Sequence, residues 1–471
     1  MPWPDSFPKP NMGFTAVILR HRALFESGAT RPQDFRREQL RKLAAALERN
    51  ETSLLSALHA DLRKSPFQGY ATELGLVQAE IRHALKHLHR WAAPQKRRTP
   101  WFVAPARGWV QAEPLGVALI LGPWNYPVQL LLTPLVSAIA AGNCTVLKPS
   151  ELAPRTAEAI AMLVRDTFAE DFVSVATGGP DVAEALLAER FDKIFFTGST
   201  RVGRLVMAAA AKHLTPVTLE LGGKCPAIVF ADVNVELAAK RIAWGKFMNA
   251  GQTCVAPDFV LVQRGVREAF VAALKKSLRE FYGEDASQSP DYGRIVNARH
   301  FERLVNYLRD GKVVHGGMHD AKDLFLAPTI LADVSPDAPV MQEEIFGPIL
   351  PVLEFDRLND ALGLLRGRPT PLALYVFSNN RATQAQVLAE TRSGGACVND
   401  VVSHMIGTGL PFGGLGESGF GAYHGRAGFD AFSHPRAVLR RATWLDTPFR
   451  YPPQKLSLAG LKRALKLLLG G

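Results

Sequence analysis

The sequence predicts an α/β protein made of two doubly wound units, and three observations carry that prediction. First, residues 115–147 hold no charged side chain, yet Pro123, Pro127 and Pro134 and the polar Asn125, Gln129 and Asn143 interrupt them. A bilayer-spanning helix needs about 20 predominantly apolar residues, and proline inside a helix removes a hydrogen bond and kinks it. The stretch therefore reads as a buried strand (117–121), a loop, a buried helix (128–141) and a second buried strand (145–147). Second, short apolar strands follow at 172–176, 193–197 and 216–221, with helical stretches between them. Continuous apolar strands suit a parallel sheet covered on both faces, and strand–helix alternation marks a doubly wound domain. Third, the alternation restarts after residue 226, with strands at 227–230, 259–262, 349–355, 373–377 and 395–399. The chain divides near residue 222.

Taken in order, residues 1–13 are rich in proline and irregular. Thr30-x-x-Gln33 reads as a capping box opening a helix with Leu40, Leu43 and Leu47 on one face. A second helix runs from 73 to 91, its stripe formed by Leu74, Val77, Ile81, Leu85 and Leu88. His83 and His87 on it have the spacing of a metal pair, but no acidic or thiol ligand accompanies them. A solvated helix face is expected there and no metal. Between 93 and 114 prolines and basic residues break the pattern, and 101–111 reads as a hairpin. At the far end, 455–469 winds into a helix with Leu458, Leu461, Leu465 and Leu468 on one side and Lys455, Lys462 and Lys466 elsewhere. It is too short to span a bilayer. Packing on the chain itself or on a partner is the preferred reading, with weak contact to a membrane surface as the other.

Length and composition bound the function. The 471 residues allow two or three domains, and 47% apolar with 21% charged residues describes an ordinary globular protein. A net charge of +11 invites a nucleic-acid partner, but the basic residues are scattered, clustering only at 96–98 and in the tail. No nucleic-acid-binding motif is present, so none is expected. Cysteines at 144, 225, 254 and 397 lack the spacing of a disulfide framework or zinc site. The start of the chain lacks the basic and apolar runs of a signal peptide. Both point to the cytoplasm, with membrane-peripheral location left open by the tail.

Two stretches carry chemistry. Gly251-Gln252-Thr253-Cys254 places a thiol after a glycine, in a loop able to deliver it to a cleft. Most such thiols are buried and inert. The second stretch, Leu219-Glu220-Leu221-Gly222-Gly223-Lys224, ends an apolar strand with a carboxylate before a Gly-Gly turn, where a general base can face a cleft. Glu220 could equally pair with Lys224, and Asn125 could cap the helix after it. Cys144, Cys225 and Cys397 sit on apolar strands and read as core. A third stretch, Phe196-Thr197-Gly198-Ser199-Thr200-Arg201-Val202-Gly203, follows a strand and opens a helix, whose amides and dipole attract pyrophosphate. In isolation it is either a dinucleotide turn or any strand–helix turn.

These residues resemble the aldehyde dehydrogenase superfamily, in its class 3-like branch. The resemblance rests on Glu-Leu-Gly-Gly-Lys (220–224), Gly-Gln-Thr-Cys (251–254), Pro-Trp-Asn-Tyr-Pro (123–127), Leu-Lys-Pro-Ser-Glu (147–151) and Glu-Glu-Ile-Phe-Gly-Pro (343–348), in the family's order, and spans about residues 20–450. Tyr423-His424-Gly425 and Phe432-Ser433-His434 point to the branch. The resemblance implies a doubly wound cofactor-binding domain (1–92 and 113–222), an α/β catalytic thiol domain (223–410), a small β oligomerisation arm with a closing segment (93–112 and 411–449) and the basic tail (450–471). It implies oxidation of medium- or long-chain aliphatic or aromatic aldehydes by a homodimer. Cys254 would be the nucleophile, Glu220 the general base, and Asn125 with the Cys254 N–H the oxyanion donors. Gly198, Ser199, Thr200, Arg201, Val202 and Gly203 would bind the cofactor, Lys148 and Glu151 its adenosine ribose, and Glu344 and Phe346 its nicotinamide end. The Glu151 carboxylate favours NAD and Lys148 tolerates NADP. The alternatives are a coenzyme A-acylating relative, against which Glu220 argues, and a membrane-peripheral binding protein on the same fold.

Overall fold

The computed structural model describes residues 13–100, 103–446, 451–453 and 457–468. The charge-free stretch forms the strand Val117–Leu121, the helix Gln129–Ala141 and the strand Cys144–Lys148, all buried residue by residue. Pro134 lies inside that helix and does not end it. Burial on every side supplies the packing that a proline in an isolated helix would lack.

A six-stranded sheet has the order Gly419–Phe420, Val217–Glu220, Lys193–Thr197, Val117–Leu121, Cys144–Lys148 and Val173–Val175. All neighbours are parallel except Gly419–Phe420. Strand order reverses between Val117–Leu121 and Lys193–Thr197, and open α/β sheets bind ligands at such a switch point, beyond the carboxyl ends of the strands. The seven-stranded sheet runs Lys312–His315, Thr329–Ala332, Ile349–Phe355, Phe259–Gln263, Pro226–Val229, Ala373–Phe377 and Gly395–Val398. Every pair in it is parallel but the first.

The third sheet corrects the expected hairpin at 101–111. Its strands are Gln95–Arg97 and Ala106–Pro114, and Ser433–Arg441 adds along the other side of the second. Residues 101–102 of the expected hairpin lie outside the described ones.

Three further expectations change. The first helix-opening motif is not a capping box: the helix Gln33–Arg49 starts behind Pro32, and the buried Thr30 hydroxyl donates instead to the Gly142 carbonyl at 2.8 Å. The helix expected at 73–91 is Gly75–Ala92, and it is preceded by a π-turn at Tyr70–Leu74. On it His83 does not face solvent alone. Its Nδ1 lies 3.0 Å from the Thr408 hydroxyl, and its ring is 4.5 Å from that of His87. Among the described residues no three metal-ligating side chains come together.

The tail forms the helix Leu458–Leu468. Leu458 is 68% exposed, and Leu461 and Leu465 are 43% exposed, so the described residues do not cover this face. Residues 455–456 and 469, the two ends of the expected helix, lie outside the described ones. No helix among the described residues is long and apolar enough to cross a membrane.

Candidate active site

Cys254 follows a short 3₁₀ turn at Met248–Gly251 in which Asn249, Ala250 and Gly251 all have positive φ. Such backbone is strained for the non-glycine residues and persists only where its surroundings over-determine it. Gly251 is required for a second reason: a Cβ there would lie 2.2 Å from the Gly347 carbonyl oxygen. The thiol loop thus rests directly on the loop carrying Glu344 and Phe346.

Gln252 is fully buried and acts as an internal brace. Its amide nitrogen donates to the carbonyls of Asn249 (3.1 Å) and Arg294 (2.9 Å), while its oxygen accepts the Val296 N–H at 3.0 Å. The Thr253 hydroxyl meets the Tyr126 hydroxyl at 2.7 Å, and the Tyr375 hydroxyl donates to the Val255 carbonyl at 2.5 Å. Cys254 itself is only half-buried. Burial pushes its thiol up, and the Glu344 and Glu220 carboxyls reinforce the shift; the backbone N–H groups of Cys254 and Val255 oppose it. Cys225 is core, as read from the sequence, with its thiol 3.5 Å from the Cys254 carbonyl.

The structure brings Asn125 and Glu220 to this loop. Asn125, at 3% exposure, donates one amide hydrogen to the Gln252 carbonyl at 3.0 Å, leaving the other free of that bond. It does not cap the following helix. Glu73 does so instead, accepting from the N–H groups of Val128 (2.8 Å) and Gln129 (3.2 Å). Glu220 closes its strand, the second of the six-stranded sheet, opposite Gly419 of the edge strand, and is also 3% exposed. Among the described residues neither carboxyl oxygen has a hydrogen-bond partner. Burial alone drives its carboxyl well above the ordinary carboxylate range. Buried polar groups are nearly always paired, so two orphaned oxygens beside a thiol make Glu220 a candidate for chemistry.

Lys224 does not pair with Glu220. Its ammonium lies 2.6 Å from Asp258 and donates to the carbonyls of Val340 (2.7 Å) and Glu343 (3.0 Å). Asp258 also accepts the Ile345 N–H at 3.1 Å and lies 3.6 Å from the wholly buried Lys246. One carboxylate therefore knots three motifs together: the thiol loop, the Gly-Gly turn and the loop between Glu344 and Phe346. Glu344 packs against Gly222, where a Cβ would lie 2.0 Å from its carboxyl oxygen, and burial raises its carboxyl to about 8. The Phe346 ring meets that of Trp124 edge-on at 5.3 Å, beside Asn125 in sequence.

The residues expected to hold a dinucleotide collect beyond the strand ends near the switch point. The helix Thr200–Ala211 follows the strand Lys193–Thr197, and the Ser199 hydroxyl caps it by accepting the Val202 N–H at 3.4 Å. A Cβ at Gly203 would lie 2.7 Å from the Leu221 side chain, so only glycine lets the helix pack this close. Thr200 donates to the Glu417 carbonyl at 3.0 Å, Val202 is half-buried, and Arg201 is exposed. Lys148 ends its strand and pairs with Glu151 at 2.8 Å. A helix N-terminus bare of acidic residues in its first turn, set at a sheet switch point, fits a dinucleotide's pyrophosphate.

Lys64, Glu73, Lys246 and Asp258 were not singled out by the sequence reading. The signal for Glu73 is its place on the apolar stripe with Val77, where an acid is buried only if paired.

The comparisons agree with this geometry. Residues 15–438 match the aldehyde dehydrogenase family. The dimeric NADP-preferring aldehyde dehydrogenase of Mus musculus is 48% identical over 93% of this chain and 97% of its own. Aldehyde dehydrogenase family 3 member A2 of the same species is 46% identical over 93% of this chain and 91% of its own. The substrate-bound structure of Staphylococcus aureus AldH superposes with a TM-score of 0.94 at 42% identity, covering 97% of this chain and 99% of that one. An indole-3-acetaldehyde dehydrogenase complexed with NAD+ gives 0.84 at 27% identity, covering 91% and 88%. With an orphaned carboxylate, a thiol loop and a buried amide gathered at one place, the chain belongs to the aldehyde dehydrogenase family, in its class 3-like branch, and oxidises aldehydes.

Proposed function

We propose that the chain oxidises medium- or long-chain aliphatic or aromatic aldehydes to carboxylic acids through a covalent intermediate on Cys254. The observation that carries this reading is the unpartnered, buried Glu220 carboxyl beside the Cys254 loop. The thiol releases its proton to solvent as its sulfur attacks the aldehyde carbon, and the C=O π electrons move to the carbonyl oxygen, which becomes an oxyanion. The free Asn125 amide hydrogen and the Cys254 N–H stabilise it, as fixed donors do best where water is excluded. NAD or NADP, when bound, supplies the hydride acceptor. Lys148, Glu151, the Gly198–Gly203 turn, Glu344 and Phe346 would hold it. The thioester left on Cys254 is hydrolysed by water from which Glu220 takes a proton, releasing the acid and restoring the thiol.

The test is the appearance of reduced cofactor with a panel of aliphatic and aromatic aldehydes, run with NAD and with NADP. Activity is expected with both cofactors, since the Lys148–Glu151 pair offers each ribose one favourable charge. Correctly folded protein inert with both would overturn the reading.

Dimer formation and a cytoplasmic location belong to the same proposal, with the tail lying against an anionic membrane surface. Its exposed leucines sit with Lys462, Arg463 and Lys466, a basic amphipathic arrangement that complements acidic headgroups. Co-sedimentation with vesicles rich in anionic lipid is expected for the full chain and not for one ending at residue 449. Equal sedimentation of the two would discard the membrane contact.

A further inference from the structure

We infer that the buried pair Lys64–Glu73 is the positioning device of the oxyanion hole, holding the Asn125 main chain so that its side-chain amide is presented to the substrate oxygen. The inference rests on the role given above to Asn125.

Lys64 is 1% exposed and Glu73 0%, and their nearest atoms are 2.5 Å apart. Desolvating two charges consumes most of what their attraction returns, so a buried ion pair is weak evidence for a purely stabilising role. The pair's other bonds show what it does. Lys64 Nζ donates to the Asn125 carbonyl at 2.8 Å and stands 4.0 Å from the centre of the Tyr126 ring. The second Glu73 oxygen takes the N–H groups of Val128 and Gln129. One ion pair therefore grips residues 125, 126 and 128, in a loop that lacks regular structure of its own, and Gln129, which opens the next helix.

The grip continues into the thiol loop. Asn249 Nδ2 donates to the same Asn125 carbonyl at 2.9 Å, and also approaches the Gln252 carbonyl, which accepts from the Asn125 amide. Asn125 is thus clamped between Lys64 and the segment that carries Cys254. Glu73 reaches its place through the π-turn Tyr70–Leu74, set between the helices Pro66–Gly69 and Gly75–Ala92. A turn with one extra residue rotates what precedes it by about 100° relative to a continuous α-helix, and such turns occur frequently at functional sites. The arrangement answers a physical need. A donor displaced by about 1 Å from a developing oxyanion forfeits on the order of 10²-fold in rate.

The charge-neutral double variant Lys64→Met/Glu73→Gln tests this, in the wild-type and in the Asn125→Ala background. Single-turnover formation of reduced cofactor is the readout, with cofactor affinity and Tm measured alongside. Asn125→Ala alone is expected to slow the step by about 10²-fold to 10³-fold. The double variant is expected to slow it by about 10²-fold in the wild-type background, and by less than about threefold once Asn125 is alanine. Cofactor affinity should stay within about twofold in each. Glu73→Gln, which keeps the shape of the side chain, carries the same cycle where the double variant does not fold. Equal multiplicative losses in both backgrounds would overturn the positioning role and leave Asn125 as a donor. An Asn125→Ala variant as fast as wild type would instead overturn the oxyanion reading itself.

Discussion

Cys254→Ala is expected to lower kcat for aldehyde oxidation by about 10⁴-fold or more, because no other group at the site can form the covalent intermediate. Cys225 cannot substitute for it. That thiol is fully buried, its sulfur faces the Cys254 carbonyl and the Ala373 N–H, and burial raises it well above the ordinary thiol range. Removing one half-buried sulfur leaves the brace of Gln252 and the hydroxyl contacts of Thr253 intact. Cofactor affinity should therefore remain within about twofold and Tm within a few degrees, as for substitutions that touch no special feature. Single-turnover kinetics with cofactor titration measures all three. Retention of more than about a tenth of the wild-type rate would show that sulfur is not the nucleophile.

Burial and two nearby carboxyls oppose ionisation, and only two backbone N–H groups favour it. A free Cys254 is accordingly held as thiol at neutral pH.

How much of this was legible follows from what each residue depends on. The central strands could be read because a parallel sheet covered on both faces needs unbroken apolar runs, and such runs occur at Val117–Leu121, Lys193–Thr197 and Ile349–Phe355. Thr329–Ala332 escaped because it is four residues long and follows Pro328, and Ser433–Arg441 because it is an edge strand with Pro435 and with arginines at 436, 440 and 441. An edge strand needs only one neighbour, so its sequence carries little periodic signal. Thr30 failed as a cap for a similar reason: its hydroxyl serves Gly142, 112 residues away. Local patterns do not record such partners. Cys254, Asn125 and the motif around Glu220 were visible as short strings, but the bonds that arrange them were not. Lys64 meets Asn125 across 61 positions, and Asp258 meets Ile345 across 87. Both are charged side chains whose burial makes sense only in three dimensions.

Glu220→Gln is expected to separate the two halves of the reaction. Attack by Cys254 and formation of the thioester do not require a base at residue 220 to accept a proton from water; hydrolysis does. The variant should therefore give a burst of reduced cofactor of about one equivalent per site, followed by a steady rate lower by about 10²-fold to 10⁴-fold, the usual contribution of a general base. The thioester should persist long enough to appear as a mass increase on Cys254. The pH dependence carries the sign of the shift. Burial holds the Glu220 carboxyl well above the ordinary range, so the base form is scarce at low pH and grows as pH rises. Wild-type hydrolysis of the thioester should rise with pH over that interval, while the residual rate of the glutamine variant lacks this rise. Stability moves in the opposite sense. In the same window the folded wild type binds a proton that the unfolded chain has released, so its stability falls as pH increases from the ordinary carboxylate range toward the raised value. Glutamine removes that slope, and the Tm difference between variant and wild type should grow in the variant's favour with pH. A variant that shows neither a burst nor an acyl-enzyme, yet retains full cofactor affinity, would place Glu220 before the thioester, at deprotonation of the thiol. A variant with unchanged steady-state rate would remove it from the mechanism, and the two unpartnered oxygens at the end of its strand would then have no chemical role.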